Sequence, residues 1–115
     1  GFYTKYGDGG VDISPIADLL KTEVFSLGKE LGICKNILDA QPTDGLWLDD
    51  RTDEDQIGAT YPELEWAMTF EGSEEKLTNR EKEVLAIYHN FHHANKHKMT
   101  PIPVCEIPKN LNSIN

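Results

Sequence analysis

The sequence lacks a long apolar run, a basic excess and closely spaced cysteines. No apolar run approaches the roughly 18 residues that a membrane-crossing helix requires. Residues 1–5 do not show the basic and apolar blocks of a secretory signal peptide either. Cys34 and Cys105 lie far apart without a C-x-x-C spacing, which is typical of reduced thiols. We therefore expect a cytoplasmic protein with no membrane partner.

The charge balance is acidic, because 20 aspartate and glutamate residues outnumber 11 lysine and arginine residues for a formal net charge of -9. Non-specific binding to nucleic acid needs Lys and Arg spread over the phosphates, so we expect no nucleic-acid partner. A nucleotide ligand stays open, because a few well-placed lysines can override the average field locally.

The pattern of apolar and turn residues predicts a mostly α-helical chain of 115 residues with one short N-terminal strand. Residues 1–6 alternate as a strand does, and the glycine-rich stretch 7–10 predicts a tight turn. A first-turn proline predicts a short helical segment from Ser14. Thr22 is expected to cap the next helix and Gly32 to end it.

The second half is predicted to be helical apart from an acidic stretch. Residues 35–60 are rich in loop residues and carboxylates, which is typical of a solvated, mobile surface. Pro62 opens a further helix. Thr78 and Glu81 have the spacing of a capping box, and the apolar residues after them recur at helical intervals. Pro101 forbids any continuation of this last helix.

Single features that could bind a ligand are weak signals. A glycine-rich turn exposes N–H groups that can hold an anion, and Lys5 would add positive charge, yet an ordinary turn is the commoner meaning. His89, His93 and His97 are spaced four residues apart on one helix. No glutamate completes an H-E-x-x-H pattern and no cysteine lies nearby, so we expect exposed histidines and no metal site.

An ordered series of short motifs is far more specific. Residues 1–15, which read GFYTKYGDGGVDISP, resemble the segment that bacterial ammonia-dependent NAD synthetases carry in their second half. The further matches follow in family order: DLLKT at 18–22, QPTD at 41–44, DE at 53–54, GATY at 58–61, and HK at 97–98 followed by Pro101.

The resemblance implies an α/β parent enzyme of the ATP pyrophosphatase, or adenine-nucleotide α-hydrolase, type, with a Rossmann-like parallel sheet and a homodimeric assembly. It implies that ATP adenylates the nicotinic acid carboxylate of deamido-NAD and releases pyrophosphate, after which ammonia displaces AMP to give NAD. Residues 1–115 would be the C-terminal part of this single domain. The family's phosphate loop and Mg²⁺ ligands would lie outside the chain, so we expect residues 1–115 alone to have no synthetase activity.

Roles for individual residues follow from the resemblance alone. Contacts to deamido-NAD are implied for four residues and contacts to ATP for two: Lys5, Asp12, His97 and Lys98 for deamido-NAD, and Lys21 and Thr43 for ATP. The His-Lys pair would reach its nucleotide across the subunit interface. No catalytic or metal-binding role carries over to a position in this chain.

Three other interpretations stay open. An acidic helical module whose work is dimerisation, without catalysis, would also explain the apolar helix stripes. A glutamine-dependent synthetase would need an amidase segment, and none is encoded here. Another α-hydrolase-type ligase, such as a GMP-forming enzyme, fits the TKYGDGG string at 4–10 poorly.

Overall fold

The structure is a computed structural model that describes residues 5–6, 10–46, 48–49 and 51–108. This part of the chain is helical and contains no strand. Its elements in chain order are α1 (Lys21–Glu30), α2 (Lys35–Leu38), α3 (Asp53–Ile57), α4 (Tyr61–Thr69), a 3₁₀ helix (Glu74–Lys76), α5 (Asn79–Asn95) and a second 3₁₀ helix (Lys96–Met99). None of these helices is long and apolar enough to cross a membrane.

The predicted N-terminal strand is not confirmed. Residues 1–4 lie outside the described residues, and Lys5 and Tyr6 form part of a turn. The predicted turn at residues 7–10 also lies outside the described residues, except for Gly10. The mostly helical character of the chain is confirmed.

Two predicted starts of helices are wrong. The segment from Ser14 forms turns and no helix, because its hydrogen bonds reach back only three residues, from Ala17 to Ser14 and from Leu19 to Ile16. The N-cap of α1 is Leu20, one residue before the helix, and not Thr22.

The start of α1 depends on a carboxylate within its first turn. The Leu20 N–H donates to the Glu23 carboxylate over 2.7 Å, which satisfies a backbone donor that the helix itself cannot pair. Thr22 lies inside the first turn and bonds to Glu65 of α4. A local pattern could not reveal a partner that lies 43 residues away.

The end of α1 at Gly32 is confirmed. Gly32 has a φ of +70°, a left-handed conformation that glycine adopts without steric cost. Its N–H donates to the Lys29 carbonyl over 3.1 Å, and the Ile33 N–H donates to the Gly28 carbonyl over 3.0 Å. These two bonds form a Schellman motif, so the last carbonyls of the helix are paired.

The expectation of a loop over residues 35–60 is wrong in two places, since α2 forms at the start of this stretch and α3 near its end. Thr52 and Asp55 form a capping box that starts α3, with the Thr52 hydroxyl accepting from the Asp55 N–H over 3.1 Å. Gly58, with a φ of 84°, ends α3, and its N–H donates to the Glu54 carbonyl over 2.8 Å. The carboxylates thus stabilise the N-terminal turn of a short helix.

The starts of α4 and α5 are confirmed. Pro62 lies in the first turn of α4, where Thr60 and Glu63 add a capping box. Thr78 and Glu81 form the predicted capping box of α5, with the Thr78 N–H 2.7 Å from the Glu81 carboxylate. Each box pairs end donors within four residues of sequence, which makes it readable without tertiary structure.

The core lies between α4 and α5 and is small. Its buried residues are Ala59, Ala67, Val84 and Leu85. The Cα radius of gyration is 19.5 Å, against about 13 Å for a compact domain of this length. Apolar side chains such as Leu31 and Ile37 remain exposed. The described residues therefore form only a small core and leave much of their apolar surface exposed.

Arg80 of α5 links α5 to the first turn of α4 and to the C-terminal end of α3. Its guanidinium donates to the two Glu63 carboxylate oxygens over 2.8 and 2.9 Å, and it also bonds Glu83 and the Gly58 carbonyl. The Arg80 side chain and the Thr60 backbone hydrogen bond lower the pKa of Glu63 to about 2. Glu63 is therefore ionised at neutral pH and holds α4 against α5.

Candidate functional site

A joint between α1 and α4 forms one wall of the candidate site. The Glu65 carboxylate of α4 accepts from the Thr22 N–H over 3.0 Å and from the Thr22 hydroxyl over 2.7 Å. Both residues are half-buried. Because a carboxylate with two such bonds is strongly held, the first turn of α1 has a fixed position relative to α4.

A cleft lies beside this joint. Its volume is about 550 Å³, within the usual range for sites that hold small molecules. A second hollow of about 550 Å³ adjoins it and shares several of its residues, among them Lys21 and Pro42. Side chains that line the first cleft include Lys21, Phe25, Gln41, Pro42, Glu54 and Tyr61.

Lys21 projects into the cleft from the first position of α1. The positive end of a helix dipole disfavours a cation at this position, so helix stability does not explain the lysine. Its Nζ lies 5.4 Å from the centre of the Tyr61 ring and 5.9 Å from the centre of the Phe25 ring. The ammonium is thus presented at the cleft by aromatic faces.

Thr43 lines the adjoining hollow together with Lys21. Its hydroxyl donates to the Arg51 carbonyl over 3.2 Å and accepts from the Gly45 N–H over 3.1 Å. These bonds fix the turn that follows Pro42. The two residues that the resemblance connects with ATP, which lie 22 positions apart in sequence, therefore share one region of the surface.

Tyr61 is the cleft residue that the sequence interpretation missed. Its phenol donates to Asp53 over 3.0 Å, and its backbone N–H donates to Glu54 over 2.8 Å. Burial and the Asp53 carboxylate raise the pKa of Tyr61 to about 12. The phenol is neutral at physiological pH and its ring is fixed. The GATY motif pointed to this position without indicating a role for the ring.

The other oxygen of Asp53, Oδ1, is buried and has no hydrogen-bond partner among the described residues. Burying an unpaired carboxylate oxygen is costly. The neighbouring carboxylate of Glu54 lines the cleft. Both carboxylates of the DE motif at 53–54 therefore support Tyr61, and that of Glu54 also lines the cleft.

Three of the residues connected with deamido-NAD lie near the C-terminal 3₁₀ helix: Lys5, His97 and Lys98. The Lys5 ammonium donates to the Pro101 carbonyl over 3.1 Å, across 96 residues of sequence. His97 is exposed, and its Nδ1 lies 3.1 Å from the Ala94 carbonyl. Lys98 is half-buried in the same 3₁₀ helix. The structure thus brings Lys5 to the segment that follows the His-Lys pair.

Asp12 joins neither group. Its side chain is exposed, and the described residues make no hydrogen bond or ion pair to its carboxylate. The histidines of α5 are exposed as well, with the Tyr88 ring packed 5.4 Å from His89 and 5.8 Å from His92, between ring centres. Within the described ranges, no three or more His, Cys, Asp or Glu side chains are arranged to hold a metal ion.

The family model and the similar curated proteins indicate the same family. The family described as NAD synthase matches residues 1–102. An NH(3)-dependent NAD(+) synthetase of Alkaliphilus metalliredigens is 42% identical over 103 residues, which are 90% of this chain and 39% of that protein. One of Archaeoglobus fulgidus is 39% identical over 103 residues, 89% of this chain and 40% of that protein.

A solved structure is similar in both sequence and fold. The NMN synthetase of Francisella tularensis superposes with a TM-score of 0.66 at 37% identity, over 93% of this chain and 42% of that chain. The chain described here therefore spans about two fifths of the length of these relatives. All six predicted site residues lie within the matched range 1–102.

Proposed function

The chain belongs to the NAD synthase family, and we propose that residues 1–115 form the C-terminal part of an ammonia-dependent NAD synthetase. In the whole enzyme, ATP adenylates the carboxylate of deamido-NAD and releases pyrophosphate, and ammonia then displaces AMP. We propose for that enzyme an α/β fold with a Rossmann-like sheet, a homodimeric state and a cytoplasmic location.

The chemistry needs alignment and charge neutralisation more than it needs an acid or base from this chain. A carboxylate is a poor acyl donor until one of its oxygens becomes part of a good leaving group. The enzyme must therefore hold two anionic nucleotides in line and balance the charge that develops on the phosphate. Lys21 is suited to ATP, because its ammonium donates to phosphate oxygens. The Thr43 hydroxyl can donate to a phosphate oxygen in exchange for its bond to the Arg51 carbonyl.

The observation that carries the proposal is the position of Lys21 at the cleft. Two backbone donors at the start of α1 are already used, since Leu20 donates to Glu23 and Thr22 donates to Glu65. The helix end therefore offers fewer donors to an anion, and the Lys21 side chain adds the positive charge. Thr43 lines the same region, as a shared ATP site requires.

We propose that the second nucleotide, deamido-NAD, lies near Lys5, His97 and Lys98. The Lys5–Pro101 hydrogen bond brings Lys5 beside the segment that follows His97 and Lys98. Asp12 is proposed for the same ligand, because an exposed carboxylate can accept hydrogen bonds from ribose or amide groups. His97 and Lys98 would reach the ligand of the partner subunit, so we propose that this segment, with Lys5 beside it, lies at the subunit interface.

The Mg²⁺ that accompanies ATP does not fit the residues described here. No group of carboxylates, histidines or cysteines within the described ranges is arranged to hold a metal ion. We propose that the ligands lie in the part of the enzyme outside this chain, and no reaction step is assigned to residues 1–115 through the metal.

The full-length protein tests the proposal directly. Incubated with Mg²⁺, ATP, ammonium and deamido-NAD, it is expected to form NAD, AMP and pyrophosphate in equal amounts. Lys21→Ala is expected to raise the KM for ATP about 10- to 150-fold, the equivalent of about 1.5–3 kcal/mol for a charged hydrogen bond. Lys82→Ala removes an exposed lysine of α5 and serves as the control. An unchanged KM in Lys21→Ala would remove Lys21 from the ATP site.

The similarity to an NMN synthetase favours a second candidate, the amidation of nicotinic acid mononucleotide. Deamido-NAD and nicotinic acid mononucleotide carry the same carboxylate, and only deamido-NAD has an adenylate half. The ratio of kcat/KM for deamido-NAD and for the mononucleotide, measured on one preparation, separates them. We expect deamido-NAD to be preferred, because the relatives from Alkaliphilus metalliredigens and Archaeoglobus fulgidus are NH(3)-dependent NAD(+) synthetases.

A non-catalytic dimerisation module remains the alternative of another class. The apolar ring of Phe91 on α5 is 37% exposed, and a charge there would oppose self-association. If dimerisation were the main function, Phe91→Asp would give monomers in size-exclusion chromatography while the wild-type protein consumed no ATP. Turnover of ATP by the wild-type protein contradicts this alternative.

A further inference from the structure

Lys21 is held between two aromatic rings and not by an acidic partner. Its Nζ lies 5.4 Å from the Tyr61 ring centre and 5.9 Å from the Phe25 ring centre, within the roughly 6 Å over which a ring face attracts a cation. Glu54 and Asp39 line the same cleft. Among the residues that the structure describes, no carboxylate forms an ion pair with Lys21.

The two rings differ in what they can fix. Phe25 lies one turn along the helix that carries Lys21, so it can hold the lysine stem only against α1. Tyr61 is the first residue of α4. Its ring therefore sets the position of the ammonium relative to the opposite wall of the cleft.

Tyr61 is itself anchored by two hydrogen bonds and by the cap that precedes it. Its phenol donates to Asp53 over 3.0 Å and its N–H donates to Glu54 over 2.8 Å. The preceding residue, Thr60, is the N-cap of α4 and bonds to Glu63. Because the phenol and the backbone N–H of Tyr61 are both hydrogen-bonded, the ring has a fixed position. The flexible Lys21 side chain therefore takes its position from the ring.

We propose that Tyr61 is a positioning residue whose ring holds the Lys21 ammonium away from the carboxylates of the cleft and towards a phosphate oxygen of bound ATP. The inference rests on the proposed function, since it takes Lys21 as a ligand of ATP. Without the ring, the flexible lysine stem would be free to pair with Glu54 or Asp39. The lysine side chain would then lose conformational entropy when ATP binds, and this cost would weaken the binding of ATP.

Steady-state kinetics of the full-length synthetase test this role. Tyr61→Leu removes the ring and keeps the backbone bond to Glu54. It is expected to raise the KM for ATP about fivefold, the equivalent of about 1 kcal/mol at 1.4 kcal/mol per factor of ten. The KM for deamido-NAD should stay within about twofold. Tyr61→Phe keeps the ring and should restore the KM for ATP to within about twofold of the wild-type value.

A double-mutant cycle shows whether Tyr61 acts through Lys21. In a Lys21→Ala background, Tyr61→Leu is expected to have no further effect on the KM for ATP, because the group that it positions is gone. Tyr88→Leu, the same change on α5 and outside the cleft, is the matched control and should leave the KM for ATP unchanged. Should Tyr61→Leu fail to fold, Tyr61→Met removes the ring but keeps a longer apolar side chain, and it too should raise the KM for ATP.

The outcomes separate the inference from the proposed function. If Lys21→Ala raises the KM for ATP and Tyr61→Leu does not, the inference is wrong and the ATP role of Lys21 stands. Additive effects of Tyr61→Leu and Lys21→Ala would likewise overturn the inference, because they indicate a general structural role. If Lys21→Ala leaves the KM for ATP unchanged, both the ATP role and the inference are wrong.

Discussion

The bond between Thr22 and Glu65 gives a prediction that connects stability with substrate binding. Glu65→Leu keeps a side chain of similar size and removes both acceptor oxygens, which accept from the Thr22 N–H over 3.0 Å and from its hydroxyl over 2.7 Å. Hydrogen bonds to charged groups contribute about 1.5–3 kcal/mol each. Water can replace part of this at a half-buried site, so we expect a total loss of about 2 kcal/mol in the free energy of unfolding.

Glu65→Gln should cost about half as much. The amide oxygen can still accept from the Thr22 N–H, and the amide NH₂ can donate to the Thr22 hydroxyl, which then acts as acceptor. Both bonds persist in neutral form, and neutral bonds are roughly half as strong as charged ones. Thr22→Val removes the hydroxyl alone and is expected to lie between the wild type and Glu65→Leu.

Urea denaturation of the full-length protein and the KM for ATP are the assays. Because the joint fixes α1 against α4, its loss should also shift Lys21 relative to Tyr61 and raise the KM for ATP in Glu65→Leu. Glu71→Leu, a change of the same kind at an exposed position, is the control and should stay within about 0.5 kcal/mol. A Glu65→Leu protein as stable as this control would refute the reasoning.

Three further predictions concern other parts of the chain. Thr78→Ala removes the cap of α5 and should cost about 1 kcal/mol in urea denaturation, and no loss of stability would contradict the capping role. The pKa of Glu63 falls from 4.5 to about 2 on folding, so its stabilising contribution is present above pH 4.5 and is lost as the pH falls towards 2. Over that range the wild type should lose more stability than Glu63→Gln, and equal losses would argue against the Arg80 pair. Purified residues 1–115 should not convert deamido-NAD to NAD in a coupled assay, and detectable turnover would refute the expectation that the chain alone is inactive.

The elements that could be predicted from sequence are those whose stabilising partners lie within one turn. The capping box at Thr78 and Glu81 and the left-handed glycine at Gly32 follow from local spacing, and both are confirmed. Thr22 shows the limit of such patterns. Its hydroxyl bonds to Glu65, so a residue that looks like an N-cap is part of a tertiary joint.

The candidate site shows the same division. The motifs identified Lys21 and Thr43, and the structure places both at adjoining hollows. Their roles, like those of the residues connected with deamido-NAD, stay predictions. The support of Lys21 by Tyr61 could not be read from the sequence, because 40 residues separate them and only folding brings the ring to the ammonium.

A structure of the full-length protein with a non-hydrolysable ATP analogue and deamido-NAD tests the central claim most directly. We predict that the Lys21 ammonium lies within hydrogen-bond distance of a phosphate oxygen of the analogue. Lys5 and Lys98 should contact the second nucleotide, with Lys98 supplied by the partner subunit. A triphosphate bound away from the Lys21 cleft, with these three ammonium groups on unrelated surfaces, would contradict the account.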